Sequence, residues 1–175
     1  QTCALPISIL AKVRKLPAGS VARWSEREGL RVDRFYAPRY GVRLTGEHRE
    51  LPADLRRRVE RAVARRLVAD VPVGVFLSGG LDSSFLAACA VRSHPRVKTF
   101  SIGFEDPSFD ESEHALSVAR HLGTDHHAEI LSPGALTELI APTLDRMDEP
   151  HADSSILPTT LLARLARRHV TVALG

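Results

Sequence analysis

Residues 75–84, VFLSGGLDSS, decide how the rest of the chain is interpreted. An apolar run ends at Ser78, two glycines follow, and Asp82 and two further serines open the next apolar segment. Glycines let backbone N–H groups approach an anion closely, and the start of a helix adds free N–H donors and a partial positive charge. Asp82 would repel a phosphate unless a hard cation such as Mg²⁺ lay between them. The stretch therefore predicts a phosphate-binding loop that works with magnesium.

The segments around this loop alternate between strand and helix patterns. The run 73–77 is apolar throughout, which is typical of a strand covered on both faces. Further strands are predicted at 97–104, 126–131 and 170–174. Helices are predicted at 51–70, 83–93 and 111–122, from Ser132-Pro133 onward, and from about Pro158 to Arg168. Such alternation implies right-handed crossovers, so we predict an α/β fold with a doubly wound parallel sheet and with 73–77 as an inner strand between 97–104 and 170–174.

The composition excludes several classes of protein. With 43% hydrophobic and 26% charged residues, the chain has the profile of a globular domain. Its longest uncharged apolar stretch, 85–91, is too short to cross a membrane, and two cysteines cannot form a disulfide framework. The arginines at 56–58, 61, 65 and 66 share one helix without interleaved aromatic residues, which favours a solvated face over a nucleic-acid site. We therefore expect a cytoplasmic protein with neither a nucleic-acid partner nor a membrane partner.

The complete loop, SGGLDSS after a buried strand, resembles the pyrophosphate-binding loop (PP-loop) of the ATP pyrophosphatases. It lacks the Gly-Lys-Ser/Thr ending of a Walker A loop and the Gly-x-Gly-x-x-Gly pattern of dinucleotide sites. Three further motifs narrow the resemblance: TFSIGFEDPSFDE (99–111), HLGTDHH (121–127) and DEPHADSSILPTTLLARLARRHVTVAL (148–174). Together they resemble the synthetase domain of glutamine-dependent asparagine synthetases and related amidotransferases of exopolysaccharide clusters. The resemblance implies the adenine nucleotide alpha hydrolase-like fold.

The resemblance also implies a reaction. MgATP adenylylates the side-chain carboxylate of aspartate, and ammonia derived from glutamine then displaces AMP to give asparagine, with pyrophosphate as the other product. By the same resemblance, pyrophosphate and Mg²⁺ are held by Ser78, Gly79, Gly80, Asp82, Ser83 and Ser84. Ser78 and Asp82 are the catalytic candidates, with Asp82 acting on Mg²⁺ through the pyrophosphate. Leu77 and Ile102, at two strand ends, would contact adenosine, and the candidate substrate-binding residues are Asp148, Glu149 and Asp153.

The resemblance divides the chain in two. Residues 1–50 are expected to be the tail of a glutaminase domain followed by a linker, with a short β-hairpin at 20–36 and a non-native start at 1–8. Residues 51–175 are expected to be the N-terminal part of the synthetase domain. Cys3 does not match the family's N-terminal nucleophile, and the Ser-Gly-acidic-Gly loop of the family does not follow 170–174. We therefore expect residues 1–175 alone to be inactive, and the full-length enzyme could form a homodimer.

Two other interpretations stay open: another PP-loop enzyme, such as an NAD or GMP synthetase or a tRNA-modifying enzyme, and a non-catalytic nucleotide-binding fragment. A metal site at His126 and His127 is disfavoured because neighbouring residues of a strand point to opposite faces. A serine hydrolase is disfavoured because the chain has no Gly-x-Ser-x-Gly motif.

Overall fold

A computed structural model describes residues 8, 10–41, 50–148 and 153–175. The chain divides into two units, Gln1–Gly46 and Glu47–Gly175. In the described part of the first unit, β1 (Ser20–Ser25) and β2 (Gly29–Arg34) form an antiparallel hairpin in which Trp24 lies opposite Leu30. Gly29, at the turn, has φ 71°, a conformation that favours glycine. The predicted hairpin is confirmed.

The second unit alternates strands and helices as the sequence predicts. Its elements are α1 (Leu51–Arg66), β3 (Val73–Phe76), α2 (Leu81–Ser93), β4 (Lys98–Phe104), α3 (Ser112–Leu122), β5 (Asp125–Leu131), α4 (Pro133–Leu144), α5 (Ile156–Arg167) and β6 (Val172–Leu174). In the described part of this unit, the strands form one parallel sheet in the order β5-β4-β3-β6. The inner position of β3, between β4 and β6, is confirmed.

Helices cover both faces of this sheet. Val75 and the buried Leu77, which follows β3, pack with residues of α1, α2 and α3 on one face. Phe76 points the other way and packs with Phe100 against α5. A third cluster joins β5, α4 and α5 through Leu131, Leu139 and Leu161. The continuous apolar run of β3 is therefore buried on both sides, and the fold is the predicted doubly wound α/β sheet.

Local signals mark the start of α4 and the end of α3. The Ser132 hydroxyl accepts a hydrogen bond from the Ala135 N–H at 3.2 Å at the start of α4, and Gly123 ends α3 with φ 68°. Pro142 lies two residues before the end of α4 and does not split this helix. The helix α3 begins without a side-chain hydrogen bond at its N-cap residue, Glu111.

The arginines of α1 are exposed, as expected for a solvated face. Arg57 and Arg58 both pair with Asp54 one turn earlier on the same helix. None of the helices formed by the described residues is long and apolar enough to cross a membrane.

The strand order defines where a ligand would bind. From β3 the chain proceeds outward to β4 and β5, and it then returns through α4 and α5 to β6 on the opposite side of β3. The order therefore reverses between β3 and β6. In open α/β sheets, ligands bind at the carboxyl ends of the strands beside such a reversal.

Candidate functional site

The loop between β3 and α2 lies at this edge, and Gly79 determines how closely it can pack. Gly79 has φ 83°, and a Cβ built there would lie 2.6 Å from the Ala115 N atom and 2.7 Å from the His114 carbonyl carbon. Both the backbone conformation and the contact with the first turn of α3 exclude a larger side chain. Gly80 has an ordinary backbone conformation, and its added Cβ would meet only the Ser78 Oγ, at 3.4 Å. The space beside Gly80 is open.

Two serine hydroxyls are held together inside the loop. The Ser78 Oγ lies 2.9 Å from the Ser83 Oγ, and the Ser83 hydroxyl donates to the Gly80 carbonyl at 3.2 Å. The N–H of Gly80 donates to the Ser78 Oγ at 3.3 Å, and the N–H of Ser78 donates to the Ser83 Oγ at 3.2 Å. These four contacts set the shape of the loop before any ligand arrives.

The first turn of α2 supplies the remaining donors. The N–H groups of Leu81, Asp82 and Ser83 have no acceptor within the helix, since they belong to its first three residues. Leu81 is 86% exposed and Asp82 is also exposed, so this helix end is open to solvent. Amide and hydroxyl donors beside open space fit a phosphate-like anion, and the Asp82 carboxylate fits an accompanying hard cation. The described residues contain no cluster of three or more His, Cys, Asp or Glu side chains that could hold a metal ion.

A cavity of about 370 Å³ opens next to the loop. Ser78 and Ser83 line its polar end, and its apolar walls are Phe76, Leu77, Ile102, Phe104 and Leu162. The structure thus brings Leu77 and Ile102, expected to contact adenosine, into one cavity with two of the predicted loop residues. A larger cavity of about 640 Å³, between α5 and β6, is lined by none of the predicted site residues.

Several predicted residues lie outside this cavity. The Ser84 Oγ is buried without a hydrogen-bond partner among the described residues, and Ser84 lines a groove between α2 and α3 instead. Asp148 is exposed beyond α4. The Asp153 carboxylate accepts the Ser155 N–H at 2.9 Å just before α5 begins. Glu149 lies outside the described residues.

Most of the residues that line the cavity were not among the sequence candidates, and these include Ser101, Phe109, Glu111 and Thr159. Ser101 precedes Ile102 on β4, and Phe109 and Glu111 end the 99–111 motif, so the motif was the available signal. Thr159 lies in the first turn of α5, and only the folded chain brings that turn to the carboxyl end of β3.

Asp110 anchors the segment that carries Phe109 and Glu111. Its Oδ1 accepts N–H groups from Phe104 and Ser112, each at 3.1 Å, and its Oδ2 accepts the Ser112 hydroxyl at 2.8 Å. The hydrogen bonds from Ser112, and then that from Phe104, lower the pKa of the Asp110 carboxyl. This carboxylate therefore ties the end of β4 to the start of α3 and fixes one rim of the cavity.

Comparisons with known proteins agree on one family. The family model described as "Asparagine synthase" matches residues 54–175. A Mycobacterium tuberculosis protein provisionally named an asparagine synthetase (glutamine-hydrolysing) is 35% identical over 97% of this chain and 26% of its own length. "Asparagine synthetase [glutamine-hydrolyzing] 1" of Bacillus subtilis is 33% identical over 97% of this chain and 27% of its own length.

A third relative carries a different name. The "Carboxyethyl-arginine beta-lactam-synthase" of Streptomyces clavuligerus is 36% identical over 89% of this chain and 30% of its own length. The chain spans between a quarter and a third of the length of these relatives. The match of the family model over most of the chain places this chain in the asparagine synthase family.

Proposed function

We propose that the protein carrying this chain is an ATP-dependent amide-forming ligase. It would adenylylate the side-chain carboxylate of aspartate and then transfer ammonia derived from glutamine, giving asparagine, AMP and pyrophosphate. The observation that carries the proposal is the paired hydroxyls of Ser78 and Ser83, 2.9 Å apart, at the polar end of an apolar cavity beside the strand-order reversal. That cavity, about 370 Å³, falls in the size range of small-molecule sites.

The proposed role of the loop is electrostatic. When the aspartate carboxylate attacks the α-phosphorus of ATP, negative charge accumulates on the departing pyrophosphate. The free amides of the first turn of α2 would stabilise that charge from fixed positions, and the hydroxyls of Ser78 and Ser83 would turn from their partners within the loop to donate to it. Bound Mg²⁺ would neutralise part of the same charge, and Asp82 would hold it near the pyrophosphate. Asp82 and Ser78 are thus the proposed catalytic residues.

The apolar part of the cavity would hold the nucleoside. Leu77 and Ile102 would contact adenosine, while Phe76, Phe104 and Leu162 would exclude water from the reacting phosphate. Asp148, Glu149 and Asp153 stay candidates for contacts with the amino-acid substrate, since an acidic side chain can bind its ammonium group. Ser84 would contribute only indirectly: its N–H holds the start of α2 by donating to the Gly80 carbonyl at 3.0 Å, and its side chain lines another groove. We further propose a cytoplasmic enzyme of small-molecule substrates, with a homodimer as the candidate full-length assembly.

A second candidate reaction differs in the nucleophile that attacks the activated carboxylate. The 36% identity to a carboxyethyl-arginine β-lactam synthase favours a reaction in which the activated carboxylate is attacked by an amine of the same substrate molecule. The loop and the nucleoside cavity would serve both reactions, since both begin with activation of a carboxylate by ATP. The two reactions differ at the second step, because only the first candidate reaction needs glutamine or ammonia.

Substrate-dependent exchange of labelled pyrophosphate into ATP, measured on the full-length protein, tests the proposal. Aspartate should support exchange, and added glutamine should convert aspartate to asparagine. Exchange with carboxyethyl-arginine but not with aspartate would establish the second candidate. Exchange only with a tRNA or with a nicotinate or xanthine nucleotide, or no exchange with any substrate, would overturn both.

A further inference from the structure

One acidic side chain lies in the wall of the cavity beside the loop. Among the described residues that line this cavity, Glu111 is the one with a charged side chain. Asp82, the carboxylate of the loop itself, is not among the lining residues. A phosphate group held at Ser78 and Ser83 would therefore share the cavity with the Glu111 carboxylate, and no lysine or arginine of the described lining would offset that charge.

The Glu111 carboxylate also differs from its acidic neighbours, whose oxygens are occupied. Asp106 accepts hydrogen bonds from the N–H and the hydroxyl of Ser108, at 2.9 Å and 2.7 Å, and Asp110 accepts hydrogen bonds on both oxygens. Glu111 is exposed, and within the part of the chain that the structure describes its side chain makes neither a hydrogen bond nor an ion pair. Although Glu111 is the N-cap residue of α3, its side chain does not cap that helix. This carboxylate is therefore available to a ligand.

The packing of Gly79 brings the turn that begins at Glu111 against the loop. A Cβ added to Gly79 would lie 2.6 Å from the Ala115 N atom, and the Ala115 N–H donates to the Glu111 carbonyl at 3.2 Å. The loop that offers amide and hydroxyl donors to an anion thus contacts the same helical turn. Donors for an anion and a free carboxylate line one space of small-molecule size.

A free carboxylate weakens the binding of phosphate unless a cation lies between the two groups. The repulsion is stronger in a cavity that is partly screened from water than in bulk water. Magnesium satisfies both groups, because it keeps several waters and is usually held in proteins by one or two carboxylates together with substrate phosphates. An exposed, unpaired glutamate beside a phosphate-type loop meets these requirements.

We propose that Glu111 supplies a second carboxylate for magnesium, beside Asp82, and thereby makes the cavity selective for the magnesium complex of its anion. The proposal rests on the function proposed above for the identity of the anion, which is pyrophosphate or the phosphates of ATP. With magnesium present, the Glu111 carboxylate attracts the complex. Without magnesium, the same carboxylate repels the anion. Glu111 is then a specificity-determining residue of the site.

Titration calorimetry of the full-length protein with pyrophosphate, in excess Mg²⁺ and in EDTA, tests the proposal. Glu111→Gln keeps the size of the side chain and removes its charge. In Mg²⁺ the variant should bind pyrophosphate about tenfold more weakly than the wild type, because one attraction for the cation is lost. In EDTA it should bind pyrophosphate more tightly than the wild type, because the repulsion is lost. A residue that only shapes the wall of the cavity would change both affinities in the same direction.

Glu113→Gln is the matched control for the loss of one negative charge. Glu113 lies two residues further along the chain, in the same first turn of α3, and is also exposed. It is not among the residues that line the cavity. The affinity of Glu113→Gln for pyrophosphate should equal that of the wild type in both conditions.

The proposal is overturned if Glu111→Gln changes the two affinities in the same direction or leaves both unchanged. Weaker binding of ATP with unchanged binding of pyrophosphate would also overturn it, since the carboxylate would then contact the nucleoside. Its failure is distinguishable from that of the proposed function. Aspartate-dependent exchange without the opposite effects in Mg²⁺ and EDTA would reject the role of Glu111 alone. Those opposite effects without exchange would reject the ligase reaction alone.

Discussion

At the scale of single residues, the two neighbouring glycines of the loop are under different constraints. Gly79 combines φ 83° with backbone atoms of α3 less than 3 Å from any added Cβ, whereas Gly80 has neither restriction. We expect Gly79→Ala to lower the free energy of unfolding by more than about 1 kcal/mol, the cost of the left-handed conformation alone. Gly80→Ala should lower the free energy of unfolding by a smaller amount. Urea unfolding of both variants measures the difference, and equal losses would contradict the packing described for Gly79.

Substitution of Asp82 tests the proposed chemistry of the loop more than its shape. In the full-length protein, Asp82→Asn keeps the size of the side chain but removes its attraction for Mg²⁺. Asparagine synthesis should fall by at least about a hundredfold, by analogy with loss of one transition-state contact, while glutamine hydrolysis persists. Asp70→Asn, in the segment that precedes β3 at the other end of the strand, is the control and should leave synthesis unchanged. Full synthetic activity of Asp82→Asn would remove Asp82 from the mechanism.

The lowered pKa of His126 predicts how the free energy of unfolding depends on pH. Because burial lowers its pKa in the folded protein, the unfolded chain binds a proton at His126 more readily as the pH falls. The stabilising contribution is therefore complete above the ordinary histidine pKa of about 6.5 and is lost as the pH falls below that value. We expect the free energy of unfolding to decrease from pH 7.5 to pH 5.5, and to decrease less in His126→Gln. The pKa of His169 is also lowered, by partial burial and by the nearby His127, so some dependence should remain in the variant. Identical pH profiles would contradict this role of His126.

At the scale of elements, Phe100 shows how β4 and α5 depend on each other. Its side chain is fully buried and packs with Leu165 and Ala166 near the end of α5 and with Val170, which follows that helix. Phe100→Ala should lower the free energy of unfolding by about 3–5 kcal/mol, the range for large cavities in a core. Phe109→Ala provides the control, because Phe109 is 69% exposed and its loss should cost little. Thermal or urea unfolding would reveal whether the two substitutions differ as expected.

The strands and helices were predictable from the sequence, because apolar periodicity and end signals such as Ser132-Pro133 and Gly123 act locally. The position of β3 followed from its apolar run, since only an inner strand is covered on both faces. The place of Ser84 could have been anticipated, as it lies about 100° around the helix from Ser83. The contacts of the His126 ring with Thr99 and Ser101 could not, because these partners on β4 are set by the register that pairs Thr99 with His126. The residue pattern at 126–127 only disfavoured a metal site and carried no signal for these contacts.

At the scale of the whole molecule, the site depends on three segments that are distant in sequence. The loop after β3, the end of β4 with the start of α3, and the first turn of α5 all reach one cavity because parallel strands end at the same edge. The helix α2 begins beside the cavity with free N–H groups, and the first turn of α5 lines the cavity through Pro158 and Thr159. The fold, and not any single motif, therefore places donors, apolar walls and the rim segment around one ligand.

Titration of the full-length protein with pyrophosphate, with and without Mg²⁺, tests most directly whether the 78–84 loop is the anion site. The wild-type protein should bind pyrophosphate more tightly when Mg²⁺ is present. Ser78→Ala combined with Ser83→Ala should weaken binding at least about tenfold, because the variant lacks both the hydroxyls that would turn toward the anion and the hydrogen bonds that shape the loop. Ser117→Ala, an exposed serine of α3, should bind as the wild type does. Equal affinity of the double variant and the wild type would show that pyrophosphate does not bind at this loop, and the proposed mechanism would be wrong.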